Sequence, residues 1–273
     1  MTRIAVAVVL YKTNPNESST LNCLLDQTFQ DLNVFLWDNS PRPLSISDIE
    51  ALRRRFVDFT YESTPDNLGL AHIYNELLDR CAADHDLLVV FDQDSSFNQE
   101  FVATLARDYE RNKSFPAYIP IVFSQQAYHA PRLDVPILAR FWKASGGRSY
   151  SARARLNSIN SGNALNIRVL QNLGFRFDEG LLFYAVDNFL FRSLYKRGFG
   201  VFVSHARLDQ SLATLDPPPN DDLYARYQSG IIATKKVYFP QRFNLWKAFV
   251  ALRILKFALS RRDPRYLRLL TLL

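Results

Sequence analysis

Leu87-Leu88-Val89-Val90-Phe91-Asp92-Gln93-Asp94-Ser95-Ser96 is the stretch on which the fold turns. Five apolar residues in a row, rich in β-branched and aromatic types, read as a strand buried on both faces. Two carboxylates arrive where that run ends, and in an open α/β sheet ligands gather at the carboxyl ends of strands. Like charges this close are costly unless a cation lies between them, so a divalent ion holding a phosphate is the economical reading. The alternative is a pair of solvated turn aspartates.

Outward from that strand the pattern repeats. Ile4–Leu10 is a continuous apolar run read as a central parallel strand, and Tyr11 to Asn16 is turn chemistry. A helix is expected over Ser18–Thr28, a second strand over Val34–Trp37, a helix over 48–56 and a third strand over Val57–Tyr61. Asp38 follows the second strand, where a carboxylate can accept from a base N–H or a ribose hydroxyl; an Asx-turn before Pro41 is the other reading. Asn67 and Gly69 form a tight turn ahead of a helix over Ala71–Cys81, a natural meeting place for a phosphate or simply a helix cap. With the strand ending at Asp92 and a helix over Gln99–Asn112, the order is βαβαβαβα, which implies a mostly parallel sheet flanked by helices.

Beyond residue 123 the rhythm breaks. Residues 124–155 carry six Arg/Lys against Asp134 alone and no steady periodicity, and read as a long excursion on the active-site side. A small polar cluster, Ile159 to Asn166, precedes a helix near Arg168–Leu173. Asp187 opens a helix that runs through Lys196 and ends at Gly198; it reads either as a plain helix cap or as a carboxylate delivered to the cleft. Val201–Val203 is read as the last strand, with His205 after it as either a structural residue or a donor completing a Mn²⁺ or Mg²⁺ site. A helix is expected over Asp221–Val237.

Composition limits the remaining choices. Among 273 residues, 48% hydrophobic and 22% charged argue for a globular chain. The net charge of +6 is localised: residues 124–155 hold +5 and residues 240–273 hold +7, leaving about −6 for the rest. That distribution suits local phosphate or anionic-lipid contacts, and no nucleic-acid partner is expected. Cys23 and Cys81 read as free thiols in helices. Neither a signal peptide nor a bilayer-spanning run stands out, so a cytoplasmic location is expected. In the tail, Trp246, Phe249, Val250, Ile254, Phe257 and Ala258 recur at helical steps among basic residues. This reads as a face for the anionic cytoplasmic leaflet or, alternatively, as a terminal helix packed on the domain.

These residues together resemble a family 2 glycosyltransferase of the GT-A fold, in its rhamnosyltransferase-like branch. The resemblance runs from about Ile4 to His205. It rests on Val8-Val9-Leu10-Tyr11, Asp38-Asn39-Ser40, Asn67-Leu68-Gly69-Leu70-Ala71 with Asn75, Phe91-Asp92-Gln93-Asp94-Ser95, Ser161-Gly162, Phe177-Asp178-Glu179 and Val186-Asp187. Members commonly place a second acidic residue and an Arg just after the last of these aspartates, where this chain has Asn188-Phe189-Leu190-Phe191-Arg192. The resemblance implies a GT-A domain, read over 1–239 with a nucleotide-binding half (1–123) and an acceptor half (124–239), while charge and periodicity set residues 240–273 apart as a basic amphipathic tail. It also implies inverting transfer from a nucleotide-diphosphate sugar, dTDP-rhamnose or a UDP-sugar, to a glycan or lipid-linked acceptor. Mg²⁺ or Mn²⁺ would be held by Asp92, Asp94 and His205, with Asp187 as the base. Tyr11, Asp38, Asn67, Gly69, Asp92, Ser161 and Gly162 would bind the donor. A phosphatase of the haloacid dehalogenase type shares the apolar strand and D-x-D, but Ser96 and the placement of Asp221-Asp222 after Pro217-Pro218-Pro219 fit it poorly. A non-catalytic nucleotide-sugar-binding module is the other alternative.

Overall fold

The computed structural model describes residues 2–134, 142–210, 220–238 and 243–273. In chain order the elements are β1 (Ile4–Leu10), α1 (Ser19–Leu25), β2 (Leu32–Asp38), α2 (Ile46–Arg53), β3 (Asp58–Ser63), α3 (Leu70–Arg80), β4 (Leu87–Asp92), β5 (Ser95–Phe97) and α4 (Phe101–Arg111). There follow β6 (Ala117–Ser124), β7 (Ala127–Ala130), β8 (Arg132–Leu133), β9 (Arg148–Tyr150), β10 (Leu156–Asn157), β11 (Asn163–Asn166), α5 (Ile167–Asn172), α6 (Val186–Lys196), β12 (Val201–Gln210), α7 (Asn220–Tyr238) and α8 (Phe243–Arg261). A 3₁₀ helix, Pro264–Leu272, comes last.

The first four expected strands pair in parallel in the order β3-β2-β1-β4. The chain steps outward from β1 through β2 to β3 and then crosses to the other side of β1 to lay down β4. The crevice between β1 and β4 is therefore a topological switch point, and Tyr11, Asp92 and Asp94 lie at its carboxyl end. Along β1 and β4 nearly every side chain is buried, as strands covered on both faces require.

Only in that half is every pairing parallel. β11 runs antiparallel to β4 and β6, β12 runs parallel to β6, and β5 closes the path antiparallel to β12, so the ten-stranded sheet is mixed. Two of these strands escape a sequence reading. β11 is only four residues of a polar cluster, and β6 contains Pro120, which cannot donate to a ladder. The structure accommodates Pro120 where the β6–β12 register shifts, between Val203 and Arg207, so no regular ladder bond is lost there. β12 itself extends to Gln210, well beyond the expected Val201–Val203, which puts His205 inside the strand.

The described parts of the basic segment 124–155 include paired strands. β7 folds back on β6 and β9 pairs with β12, while Asp134 meets Arg192 of α6 at 2.9 Å in a largely buried ion pair. Residues 135–141 lie outside the described residues.

The chain divides into two compact units, Met1–Leu182 with Val186–Ser211, and Phe183–Ala185 with Leu212–Leu273. In the second, α7, α8 and the 3₁₀ helix enclose a core of Ile231, Val250, Ile254, Ala258, Tyr266 and Leu269, with Tyr224, Tyr227 and Phe257 packed against it. Val250, Ile254 and Ala258, read from the sequence either as a lipid-facing stripe or as the packed face of a terminal helix, lie in this core, and Phe257 packs against it. Three helices that close on one another bury their best apolar face first. The side chains of Trp246 and Phe249 lie outside the described residues. No helix among the described residues is long and apolar enough to cross a membrane. Cys81 is buried, Cys23 is partly so, and both are free thiols.

Candidate active site

The turn after β4 is fastened from three directions. From the α1 side, the Ser18 and Thr20 hydroxyls donate to the carbonyls of Gln93 (2.7 Å) and Asp92 (2.5 Å), and Thr20 Oγ1 accepts the Ser95 N–H at 3.0 Å. Toward β1, the Gln93 amide accepts the Tyr11 N–H at 2.7 Å and donates to Thr13 at 2.6 Å, tying the middle of the D-x-D to the neighbouring strand end. Below, the Asp92 N–H donates to Ser161 Oγ at 3.1 Å, and Ser161 and Ser95 hydroxyls lie 2.5 Å apart. Ser95 in turn donates to the Gln210 carbonyl and the Gln210 amide donates to Asp94. One polarity satisfies every donor in this chain, so the two aspartates are preorganised by neutral groups.

Among the described residues no cation is set against the charge of the site. Burial pushes the Asp92 carboxyl up to about 7, reinforced by the charges of Asp94 and Asp187. Burial also raises Asp187 to about 6, against the Asn188 N–H that it accepts at 2.7 Å. Asp94, which keeps an exposed edge, is raised by desolvation in opposition to the Gln210 amide. Asp187 reaches this neighbourhood as the second residue of α6, after Ala185 turns the chain at φ 61°. Beneath lies Tyr74 of α3, fully buried, its hydroxyl without a hydrogen-bond partner among the described residues and its titration raised by burial and by Asp92 and Asp187. Tertiary folding has thus brought three of the expected acidic residues together.

The other candidates are placed as follows. Tyr11 stands at the β1 end with 38% of its surface exposed. Asn67 takes a left-handed conformation (φ 54°) that its short amide tolerates. Gly69 caps α3 and lies against the Leu182 backbone, where a Cβ would come 2.8 Å from Leu182 Cα; the Leu70 N–H donates to the Leu182 carbonyl at 2.6 Å, so that amide is already engaged.

Several expectations need correction. Asp38 presents no surface; its carboxylate accepts from the Ser40 and Leu44 N–H groups and the Tyr61 hydroxyl, so in this conformation it forms the Asx-turn rather than facing a base. Ser161 and Gly162 are buried behind the D-x-D. Ser161 supports the Asp92 amide, and Gly162 (φ 81°) packs against Pro120, Leu208 and Phe101. His205 belongs to a different cluster, with its N–H on Asp108 at 3.0 Å and its ring 3.4 Å from the same carboxylate. Five residues of extended strand, about 17 Å, separate it from Gln210, so it is not a ligand at this site. The residues missed were Gln93, Gln210, Thr20 and Tyr74; only Gln93 carried a local signal, its place between the two aspartates.

Among the described residues no group of three His, Cys, Asp or Glu side chains has metal-binding geometry. Two hard carboxylates suffice for Mg²⁺ or Mn²⁺ when substrate phosphates complete the shell, and the mutual repulsion of Asp92 and Asp94 is what a divalent ion would relieve. Asp92 and Asp94 therefore fit such an ion.

Glu179 is the other carboxylate near α3. His72 and Asn75 hold it below the usual carboxylate range, and Asn75 also clasps both backbone polar groups of Phe177. Asp178 accepts the Gly180 N–H in a turn. A carboxylate held ionised by such partners is a weaker base than Asp187, whose surroundings favour its protonated form.

No curated protein matches this sequence. Among solved structures, the fold is similar to that of TarS from S. aureus (15% identity, TM-score 0.59, covering 88% of this chain and 41% of that one). It is similar as well to GalNAc-T7 with UDP, GalNAc and Mn²⁺ (14%, 0.59, 83% and 48%). A third is the mannosyltransferase PcManGT from Pyrobaculum calidifontis with GDP-Man and Mn²⁺ (14%, 0.56, 85% and 61%). The chain spans 41–61% of the length of these three. A family model covers residues 6–167, which include the switch point, the D-x-D and the Ser161 support: the chain belongs to glycosyl transferase family 2.

Proposed function

We propose that the protein moves a sugar from a nucleotide-diphosphate donor to an acceptor hydroxyl by a single displacement that inverts the anomeric centre. The observation that carries this is the convergence of Asp92, Asp94 and Asp187 at the switch point of the sheet, where Asp94 and Asp187 raise the cost of ionising Asp92. Asp94, with its exposed edge and its Gln210 clamp, and Asp92 beside it are the residues to hold Mg²⁺ or Mn²⁺. When bound, such an ion supplies charge neutralisation for the departing diphosphate. Tyr11 offers an exposed ring to the nucleobase, and the 67–69 turn shapes the same end of the crevice. Asp187, raised to about 6, is mostly ionised at neutral pH yet basic enough to take the acceptor proton.

The resemblance to rhamnosyltransferase-like enzymes makes dTDP-rhamnose the first donor to test, with UDP-sugars next. GDP-Man in the mannosyltransferase structure widens the panel. The acceptor is read as a hydroxyl of a glycan or lipid-linked carrier in cell-surface polysaccharide synthesis, at the cytoplasmic side of the membrane. A phosphatase acting through Asp92 as nucleophile is disfavoured, because burial pushes the Asp92 carboxyl up to about 7, above Asp187 at about 6, and so holds it back from the ionised form a nucleophile needs.

A thermal-shift panel of dTDP-, UDP- and GDP-sugars with and without Mn²⁺ tests the reading. A donor at a hundred times its Kd stabilises by about 2.7 kcal/mol, a rise of several degrees in Tm. The rise is expected only with Mn²⁺ and is lost in Asp94→Ala. Equal donor binding by Asp94→Ala and wild type in Mn²⁺ would show that the metal role is wrong.

A further inference from the structure

α8 carries two apolar faces, and only one is used. Val250, Ile254 and Ala258 point into the core of the second unit, whereas Leu252, Leu255 and Leu259 are 66%, 40% and 78% exposed. At 100° per residue these three leucines fall within a sector of about 60° on the outward side, along roughly 10 Å of helix. Single exposed leucines need no explanation, but three in register on a surface helix form a stripe. Lys256, exposed, lies about 40° from one edge of it on the same wheel, and Arg262, also exposed, stands in the turn that follows the helix.

The composition of the same region says what the stripe meets. Residues 243–273 hold seven Arg/Lys and one acidic residue, Asp263, which is bound by Arg265 at 2.8 Å. This net charge of +6 favours an acidic partner. A second copy of this chain would bring the same positive charge against itself. A helix face with exposed leucines along it, Lys256 beside them and Arg262 at its end has the form of an interfacial helix, and no described helix is suited to spanning a bilayer.

We propose that the Leu252/Leu255/Leu259 face of α8 is a docking surface for an anionic phospholipid bilayer, with the leucines entering the headgroup–acyl boundary and Lys256 and Arg262 meeting lipid phosphates. The proposal goes beyond glycosyl transfer and stands independently of it. The full chain is sedimented with phosphatidylcholine vesicles, with and without about one third phosphatidylglycerol, at low and high salt. Wild type is expected to partition onto the anionic vesicles and to be released by salt. Lys256→Gln/Arg262→Gln should bind about ten- to thirty-fold more weakly. Leu252→Ser/Leu255→Ser/Leu259→Ser should bind at least ~30-fold more weakly while keeping its circular dichroism, melting temperature and donor-dependent thermal shift, since these side chains are solvent-exposed. Undiminished binding by the leucine variant, or no binding by wild type, would overturn the proposal. Dimerisation in sedimentation velocity that disappears in the leucine variant, without vesicle binding, would assign the face to a second copy instead. Loss of the donor shift with vesicle binding intact would tell against the glycosyltransfer reading alone.

Discussion

Asp187 has a neutral isostere that separates its role from the others. Asp187→Asn keeps the bulk at the α6 start and leaves Asp92 and Asp94 in place, so donor affinity should hold within a few-fold while turnover falls by about 10²–10⁴-fold. Donor Kd and single-turnover rates measured together test this; a turnover within a few-fold of wild type would assign the base elsewhere. In wild type, turnover should fall as pH drops through about 6, where Asp187 takes up a proton. That limb should be missing in Asp187→Asn. Tyr74 had no signal of its own in the sequence. A tyrosine at helical spacing in α3 reads as core, and its position beneath two carboxylates follows from the packing of α3 under β4 and the α6 start.

Between elements, the decisive contact is β12 with β5, which pairs Gln210 with Ser95 across 115 residues of sequence. Gln210→Ala should leave the fold intact and weaken Mn²⁺ binding by about 10–100-fold, the usual effect of removing a group that orients a metal-binding carboxylate. Calorimetric titration of Mn²⁺ in the presence of donor measures it, and unchanged affinity would mean that the clamp on Asp94 has no function. Gly162→Ala tests the backing of the same turn. Its φ of 81° and a Cβ 2.9–3.1 Å from Pro120, Leu208 and Phe101 combine backbone strain with overpacking, so a loss of about 2–4 kcal/mol is expected in urea denaturation. Ile254→Ala, removing a fully buried side chain from the small core of α7, α8 and the 3₁₀ helix, should cost about 2–5 kcal/mol.

For the molecule as a whole, the acidic crevice predicts how stability responds to pH. Asp92 and Asp187 hold protons more tightly folded than unfolded, so between about pH 4 and 7 the native state carries the extra protons and their contribution to stability falls as pH rises. Asp92→Asn should flatten that descent, and Mn²⁺, which competes with the proton, should stabilise wild type more at pH 7.5 than at pH 5. Melting curves across pH with and without Mn²⁺ check both; parallel curves for wild type and Asp92→Asn would contradict the assignment. The sequence by itself determined what depends on runs and their ends. Continuous apolar runs alternating with helical periods specified β1 to β4 and the helices between them, and with them the carboxyl ends that carry Tyr11, Asp92 and Asp94. Local burial pattern is strong there because each strand is covered on both faces. What only the tertiary structure decided depends on pairing between distant segments. A four-residue β11, a proline-containing β6 and a β12 that runs on to Gln210 have little pattern of their own, and their register set Ser161 and Gly162 behind the site and His205 outside it. The same holds for the tail: the helical period of α8 showed that apolar residues recur, but contact with α7 and the 3₁₀ helix chose which of its two apolar faces became core and which was left to water.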